Sequence, residues 1–474
     1  MDNFVPEWKK WSSRRPFSIA LKTPNGDYNW REINRLVDQQ SRSLISQGVS
    51  ASDLVTCVSK NCFELVVVYL ACIELGTKCS IVMPQPLSLL KDKLETLYTK
   101  KQTRFVWISP EAQTQMTAEE QAELSSIVTS LSLHSISASL SSLHSQYSPK
   151  RISSLIFTSG SSGKAKAVAH NVHQHRASAL GLLEKIQFKH GDSWLLSLPM
   201  YHVSGLSIVH RWLVAGACMK IGSGKLEEDI HGVTHASLVA TQLQRLLTQS
   251  QTLNLKCVLL GGSHIPSSLG LQAAKQNIET WLGYGMTEAA STVTAKRVNE
   301  DDTAGTLLPN RELRVEQGKI YIAGQTLASG YYFQGKLNSL TDDEGWFDTK
   351  DLGEWVGNEV RILGREGNMF ISGGENVHCE EIEVVINRHE QVNTCIVVAV
   401  EDSEFGAVSI ALVASNSDLA SLNINEWLEG KIERFKRPRQ YYILPDELLT
   451  SGIKISRKDV KDYVTSHFTN YRVI

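Results

Sequence analysis

The chain has 474 residues, long for a single core of ordinary size, so two or three domains are expected. Hydrophobic residues at 42% and charged residues at 21% describe a soluble globular protein. A formal charge of −2, from 48 basic against 50 acidic residues, excludes an overall attraction to nucleic acid or to a membrane surface, so any anion the protein binds must be met locally.

Residues Met1 to Arg15 carry Asp2 and Glu7 and lack an apolar core segment, so no signal peptide is expected. The longest apolar run, Leu65 to Ile73, is far short of the roughly 20 residues of a membrane span. The eight cysteines (57, 62, 72, 79, 218, 257, 379, 395) sit mostly in apolar segments, with no C-x-x-C pair and no zinc-like histidine spacing. They read as reduced core residues of a cytoplasmic protein.

From Phe17 to Leu75 the pattern alternates strand and helix: Ser18 to Lys22 as a strand, a helix opening at Asn29, Leu54 to Val58 as a strand, and Asn61 to Leu75 as a helix. Asn61 reads as its N-cap and Gly76 as its stop, and the alternation predicts α/β layering. Ala118 to Ser126 is helix-like, and the Ser-rich stretch over residues 125–148 has the composition of surface or linker and no assigned role.

Ser153 to His170, SSLIFTSGSSGKAKAVAH, is an apolar strand running into a loop of hydroxyls, glycines and lysines. It reads as a phosphate cradle. Gly160 and Gly163 permit positive φ and let backbone N–H groups face an anion. Thr158, Ser159, Ser161 and Ser162 add hydroxyl donors, while Lys164 and Lys166 add charge. It is not the GxxxxGK[ST] loop, since only two residues separate its glycines. Taken alone, it is also compatible with a Ser/Gly surface linker. Val172 to Leu183 reads as the helix that follows.

This loop resembles that of the adenylate-forming superfamily of acyl-CoA ligases, luciferases and nonribosomal-peptide adenylation domains, with Ser162 and Ala165 where the family usually has Thr and Pro. The resemblance implies a large N-terminal domain of mixed sheets and helices, a small mobile α+β C-terminal domain, and ATP and Mg²⁺ at the site.

Asp192 to Val214 reads as a strand, a turn at Pro199 and a helix entered through His202, Ser204 and Gly205. In the family this segment lines the acid pocket. Here the likeness narrows to the o-succinylbenzoate–CoA ligases, through HVSG, the later Arg211-Trp-Leu, and His235 to Leu247. Their acid has one carboxylate to activate and a second to be recognised, which Arg211 can pair in a bidentate contact. A solvated surface arginine and a packed loop histidine are the plain alternatives for Arg211 and His202.

Val258 to Pro266 is a strand ending in Gly261 and Gly262, a turn that flanks adenine in the family. Gly283-Tyr-Gly-Met-Thr-Glu follows a predicted strand over Ile278 to Leu282. Tyr284, with Gly285 and Met286 beside it, offers a face to the base. Thr287 offers a hydroxyl to the α-phosphate, and Glu288 a carboxylate to Mg²⁺. Thr287 and Glu288 also suit a helix start.

Asp351 matches the family's ribose-binding aspartate, and Arg365 its ribose- and phosphate-contacting arginine. Residues 364–368 resemble the hinge between residues 1–363 and 369–474, with Gly367 where the family has Asp or Lys. Glycine absorbs a domain rotation freely. The loop of Ser372, Gly373 and Gly374 matches the one that forms part of the coenzyme A tunnel. The remainder alternates strands (Thr394 to Val400, Ser409 to Val413) with helices (Glu380 to Asn387, Leu422 to Phe435), and Lys454 matches the lysine that reaches the carboxylate and α-phosphate.

The resemblance therefore implies an AMP-forming acid–thiol ligase for a small carboxylic acid, with Lys454, Thr158 and Thr287 as catalytic groups and coenzyme A as co-substrate. A ligase for another aromatic or fatty acid, or a carrier-loading adenylation domain, is the alternative. Cytoplasmic location and self-association are further expectations.

Overall fold

A computed structural model describes residues 5–133, 145–158, 166–248, 253–261, 265, 267–373, 375–449, 455–468 and 470–474. Two large mixed sheets form the N-terminal part, one of 13 strands and one of eight. In the eight-stranded sheet, Leu54–Val58, Lys78–Val82, Phe105–Ile108 and the start of Ile152–Thr158 run parallel. Lys166–Asn171 then returns antiparallel to Ile152–Thr158. The larger sheet has a parallel centre through Ser193–Leu195, His235–Leu238, Cys257–Leu260 and Glu279–Met286. Parallel pairing requires crossover connections, which the intervening helices supply.

Helix Phe63–Leu75 shows why the layers cohere. Every residue from Leu65 to Leu75 is buried, as expected of a helix apolar on all faces. It ends at Gly76 in the left-handed conformation, φ 68°. Its cap is Cys62 rather than Asn61. Asn61 instead spans to the segment preceding helix Val203–Ala215: Nδ2 donates to the carbonyls of Leu196 (3.1 Å) and Leu198 (2.8 Å), and Oδ1 accepts from Met200 N–H (2.9 Å). A three-way tie of that kind is a stronger use of one amide than a helix cap.

The N-terminal helix Glu7–Arg14 is packed under the same region. Trp11 Nε1 donates to the Leu213 carbonyl at 2.7 Å, and Trp30 stacks on Trp212 with centroids 5.0 Å apart. Helix Val203–Ala215 is thereby braced through Leu213 and Trp212.

The C-terminal part contains the hairpin Val392–Asp402 with Gly406–Ser415, extended in parallel by Gln440–Ile443. Helices Cys379–Ile386 and Arg457–His467 accompany it. The helix expected from Leu422 to Phe435 is broken into the turn Leu419–Leu422, the short helix Ile424–Trp427 and the turn Arg434–Lys436. Asn423 (φ 46°) and Gly430 (φ 70°) adopt left-handed backbone there, which no continuous helix accommodates. All eight cysteines are free thiols. Among the described residues no helix is long and apolar enough to cross a membrane.

Candidate active site

Thr158 and Lys166 are direct cross-strand partners, so the two ends of the predicted phosphate loop stand face to face. Ser159, Gly160, Ser161, Ser162, Gly163 and Lys164 lie outside the described residues, as do Gly262, Gly374 and Lys454. Lys166 Nζ sits 4.9 Å from the centroid of the Tyr331 ring, and the Tyr331 hydroxyl donates to Glu288 Oε1 at 3.0 Å. Burial, then the Glu288 charge, raises the Tyr331 pKa, so the phenol remains a donor. Strand Gly330–Phe333 pairs with Lys166–Asn171, and Ala328 N–H donates to the Glu288 carbonyl at 2.8 Å. These two contacts bring the cation, the phenol and the carboxylate together from three distant segments.

Strand Glu279–Met286 runs farther than the expected Ile278 to Leu282, so Tyr284, Gly285 and Met286 lie on the strand itself. The register shifts between Tyr284 and Gly285 against Ser291–Arg297. A Cβ at Gly285 would lie 1.9 Å from the Ser291 carbonyl oxygen, so only glycine fits the bulge. The chain then turns through Thr287–Ala289 as a 3₁₀ segment, placing Thr287 and Glu288 at the strand's carboxyl end. Gly261, one residue past Cys257–Leu260, lies beside the backbone of Gly283.

Tyr284 donates its hydroxyl to Asp351 Oδ2 at 2.7 Å. Burial and then Asp351 raise the Tyr284 pKa well above its usual value. Asp351 and Arg365 are cross-strand partners, with Arg365 Nε 3.7 Å from Asp351 Oδ1. Tyr284, Asp351 and Arg365 thus form one connected group, suited to a ribose diol that needs acceptors and a neighbouring cation.

On the acid side, helix Val203–Ala215 begins at His202. Its first turn rests on the Pro199 carbonyl, which a Cβ on Gly205 would approach to 2.1 Å. His202 is exposed at the entry to the helix, edge-on to Tyr201 at 4.9 Å, so it is not a packed loop histidine; partial desolvation and then the charge of Lys93 lower its pKa. Lys93 itself is pressed down to about 8 by burial, with Nζ 5.3 Å from the Phe157 ring centroid at the start of the phosphate loop.

Ser204 and Arg211 are seven residues apart on this helix and so share a face. Ser204 is half-buried; Arg211 is only 2% exposed, which rules out the solvated surface arginine. The guanidinium lies 5.2 Å from the Trp194 ring centroid, and Nη1 donates to Ser237 Oγ at 3.3 Å. Arg211 Nε is buried with no hydrogen-bond partner among the described residues. Burial, then the charge of Arg311, presses the Arg211 pKa down to about 9, leaving it cationic at neutral pH. A buried guanidinium with an open donor is costly unless an acid fills it.

Toward the C-terminal part, Ser372 and Gly373 occupy the tip of the hairpin Met369–Ser372 with Glu375–His378. Ser372 is buried, and Gly373 (φ 59°) is exposed and donates to the Phe405 carbonyl at 2.9 Å. Gly367 lies in the 3₁₀ turn Glu366–Asn368, with open space where a Cβ would be.

The sequence matches the model of the AMP-binding enzyme family over residues 8–332, and that of the AMP-binding enzyme C-terminal domain over residues 381–454. This chain belongs to the AMP-binding enzyme family. It is 39% identical to the 2-succinylbenzoate–CoA ligase of Salmonella typhimurium, over 98% of each chain. It superposes on a variant of E. coli MenE with bound OSB-AMS with a TM-score of 0.86 at 37% identity, covering 97% of this chain and 98% of the other. The o-succinylbenzoate coenzyme A synthetase of Bacillus subtilis, in complex with ATP and magnesium ion, shares the fold at 22% identity, with a TM-score of 0.81 over 93% of this chain and 96% of that one.

In this AMP-binding enzyme, no group of three or more His, Cys, Asp or Glu side chains that could hold a metal exists among the described residues. A lone carboxylate suits Mg²⁺ all the same, since that ion keeps most of its waters. Glu288 fits, with one oxygen steadied by Tyr331.

Lys93 and Tyr331 were singled out by no sequence motif, and Trp194 and Ser237 fell only within segments read for other residues. Each has an ordinary residue type in an ordinary element, and only long-range pairing brings it to the site.

Proposed function

We propose that this chain is an ATP-dependent acid–thiol ligase that converts 2-succinylbenzoate and coenzyme A to 2-succinylbenzoyl-CoA through an acyl-adenylate, releasing AMP and pyrophosphate. The observation that carries the substrate is the buried Arg211. A monocarboxylic acid would leave its guanidinium unpaired, whereas the second carboxylate of 2-succinylbenzoate satisfies it with a charge-assisted pair.

In the first half-reaction the substrate carboxylate attacks the α-phosphorus of ATP, a P–O bond forms, and the bond to pyrophosphate breaks. Thr158, Thr287 and Lys166 border the phosphates, Tyr284, Asp351 and Arg365 orient the ribose, and Lys454 neutralises charge on the carboxylate and α-phosphate. Bound to Glu288, Mg²⁺ supplies positive charge that offsets the phosphate oxygens. In the second, residues 369–474 turn about residues 364–368, Ser372 to Gly374 face the thiol, and the thiol sulfur attacks the acyl carbonyl. AMP leaves, and the thiol proton passes to solvent. The division into residues 1–363, 364–368 and 369–474, and a cytoplasmic location, belong to the same reading.

The test is pyrophosphate release with ATP and Mg²⁺, comparing 2-succinylbenzoate with benzoate and a medium-chain fatty acid, for wild type and Arg211→Ala. The expected result is selectivity for 2-succinylbenzoate, with its KM raised about 10- to 100-fold in the variant. Equal turnover of the other acids would remove this substrate and leave an AMP-forming ligase for another acid.

A further inference from the structure

Tyr331 is delivered to the site by a short connection that is bonded at three successive residues. Gln174 Nε2 donates to the Leu327 carbonyl at 2.6 Å, Ala328 N–H to the Glu288 carbonyl at 2.8 Å, and Ser329 N–H to the Ala169 carbonyl at 2.8 Å. Gly330 follows with φ 147°, where an added Cβ would stand 2.6 Å from the Asn338 carbonyl oxygen, so the position takes only glycine. The residues leading into Tyr331 are thereby fixed to helix Val172–Leu183, to the turn Thr287–Ala289 and to the two strands that flank Gly330–Phe333.

Glu288 is held as firmly. Its carbonyl is bonded to Ala328, and the chain beyond it passes through Ala290 (φ 52°) and Ser291 (φ 104°), both with left-handed backbone. Its side chain accepts one bond, from the Tyr331 hydroxyl to Oε1 at 3.0 Å, and among the described residues no donor reaches Oε2. The ring of the same tyrosine meets a cation. Lys166 Nζ lies 4.9 Å from the ring centroid, and among the described residues this lysine has no carboxylate partner. Lys166 and Glu288 both touch one tyrosine and yet do not pair with each other.

We propose that Tyr331 is the positioning residue for Mg²⁺ at this site. Its hydroxyl takes Glu288 Oε1, which leaves Oε2 to the ion, and its ring holds the Lys166 ammonium off the carboxylate. The lysine stays available to phosphate oxygens, and the carboxylate keeps its charge for the metal. The inference rests on the proposed function, in which Glu288 is the carboxylate that binds Mg²⁺.

The test is calorimetric titration of the full chain with ATP in the absence of the acid, where no adenylate forms, once with Mg²⁺ and once with EDTA. The ratio of the two Kd values is what the metal adds to nucleotide binding. Tyr331→Phe keeps the ring and loses the hydroxyl. Its ratio should fall about tenfold, the effect of one hydrogen bond to a charged acceptor, while its Kd in EDTA stays within about twofold of wild type. Tyr331→Leu also frees Lys166 to pair with Glu288, so its ratio should fall further. Pyrophosphate release by Tyr331→Phe with 2-succinylbenzoate should recover as Mg²⁺ is raised about tenfold, a rescue that a merely structural loss would not show. A ratio within about twofold of wild type in Tyr331→Phe, or an equal loss of ATP binding with and without Mg²⁺, would overturn the proposal. Glu288→Gln run alongside separates the two claims. If its ratio matches wild type, Glu288 is not the metal-binding carboxylate, and that part of the proposed function falls together with the inference. If its ratio collapses while that of Tyr331→Phe holds, only the inference falls.

Discussion

Arg211 Nη1 and Trp194 Nε1 both donate to the same atom, Ser237 Oγ, at 3.3 and 3.2 Å, so a single serine hydroxyl sets the angle between the guanidinium and the indole it stacks on. Ser237 is itself 3% exposed, and its carbonyl accepts from Ser197 Oγ at 2.5 Å. The arginine is therefore aimed as well as buried, and its Nε edge is the one without a hydrogen-bond partner among the described residues. Ser237→Ala should loosen that aim without removing the charge. Its KM for 2-succinylbenzoate should rise about fivefold to tenfold, since the guanidinium and the indole both lose their acceptor while the charge stays in place, with kcat little changed. Steady-state kinetics check this, and benzoate is the control: an equal loss with an acid that lacks the second carboxylate would show that Ser237 supports the pocket generally.

The Tyr284–Asp351 bond predicts a different signature. Asp351 also has Arg365 beside it, so removing only the tyrosine hydroxyl leaves the carboxylate charged and still oriented. Tyr284→Phe should raise KM for ATP a few-fold, about 1 kcal/mol or less. Asp351→Ala removes the carboxylate proposed to accept from the ribose and leaves the Tyr284 hydroxyl and Arg365 without it, so a loss about tenfold larger is expected, on ATP and not on the acid. Nucleotide titrations of the two variants at saturating acid measure the difference.

Some of the backbone architecture around the candidate site was legible in the sequence, for a physical reason. Positions such as Gly285 and Gly205 are fixed by backbone approach, 1.9 Å to the Ser291 carbonyl and 2.1 Å to the Pro199 carbonyl for any added Cβ, and such constraints leave compact local motifs. Strand and helix alternation was readable likewise, and Leu54–Val58 and Val172–Leu183 occupy the predicted residues. What was not legible is long-range. Asn61 reads as a cap because caps are local, yet its amide is spent on Leu196, Leu198 and Met200, well over a hundred residues away. Tyr331 has no motif of its own, and it meets Glu288 only because Gly330–Phe333 joins the sheet beside Lys166–Asn171.

Asn61→Ala follows from that long-range tie. Three hydrogen bonds are lost at once and the Leu196 and Leu198 carbonyls and Met200 N–H are left short of partners. The expected cost is about 2–4 kcal/mol of stability. Because the freed segment leads into the acid-pocket helix, KM for the acid should rise while KM for ATP holds. Urea unfolding and paired titrations of the two substrates give both readings; a stability loss with equal effects on both substrates would mean that the tie serves the core alone.

The buried histidines set a limit on acid tolerance. His170, His175 and His210 are at most 2% exposed, with His175 stacked on His210 at 4.3 Å and 4.8 Å from His170. His210 Nε2 bonds the Tyr69 hydroxyl at 2.8 Å and His175 Nε2 the Ser154 hydroxyl at 2.7 Å, so each of these two rings is bonded to a neutral group. Burial pushes the pKa of His170 and of His210 down to about 3, and that of His175 well below the usual value, with the neighbouring histidines adding to the effect for His175 and His210. All three are therefore neutral when folded but take up a proton near pH 6.5 when unfolded. Stability is fully present above pH 6.5 and falls as the pH drops from there toward 3. Each such histidine contributes a slope of about 1.4 kcal/mol per pH unit, so the three together give about 4 kcal/mol per unit. Against a total of about 5–15 kcal/mol, that slope alone unfolds the chain within one to four pH units below 6.5. Urea midpoints measured from pH 7.5 to 5 should trace it, and His210→Phe, which removes one titrating group and keeps a ring on His175, should cut the slope by about one third. A flat profile across that range would show that these rings are protonated in the folded protein, contrary to their burial.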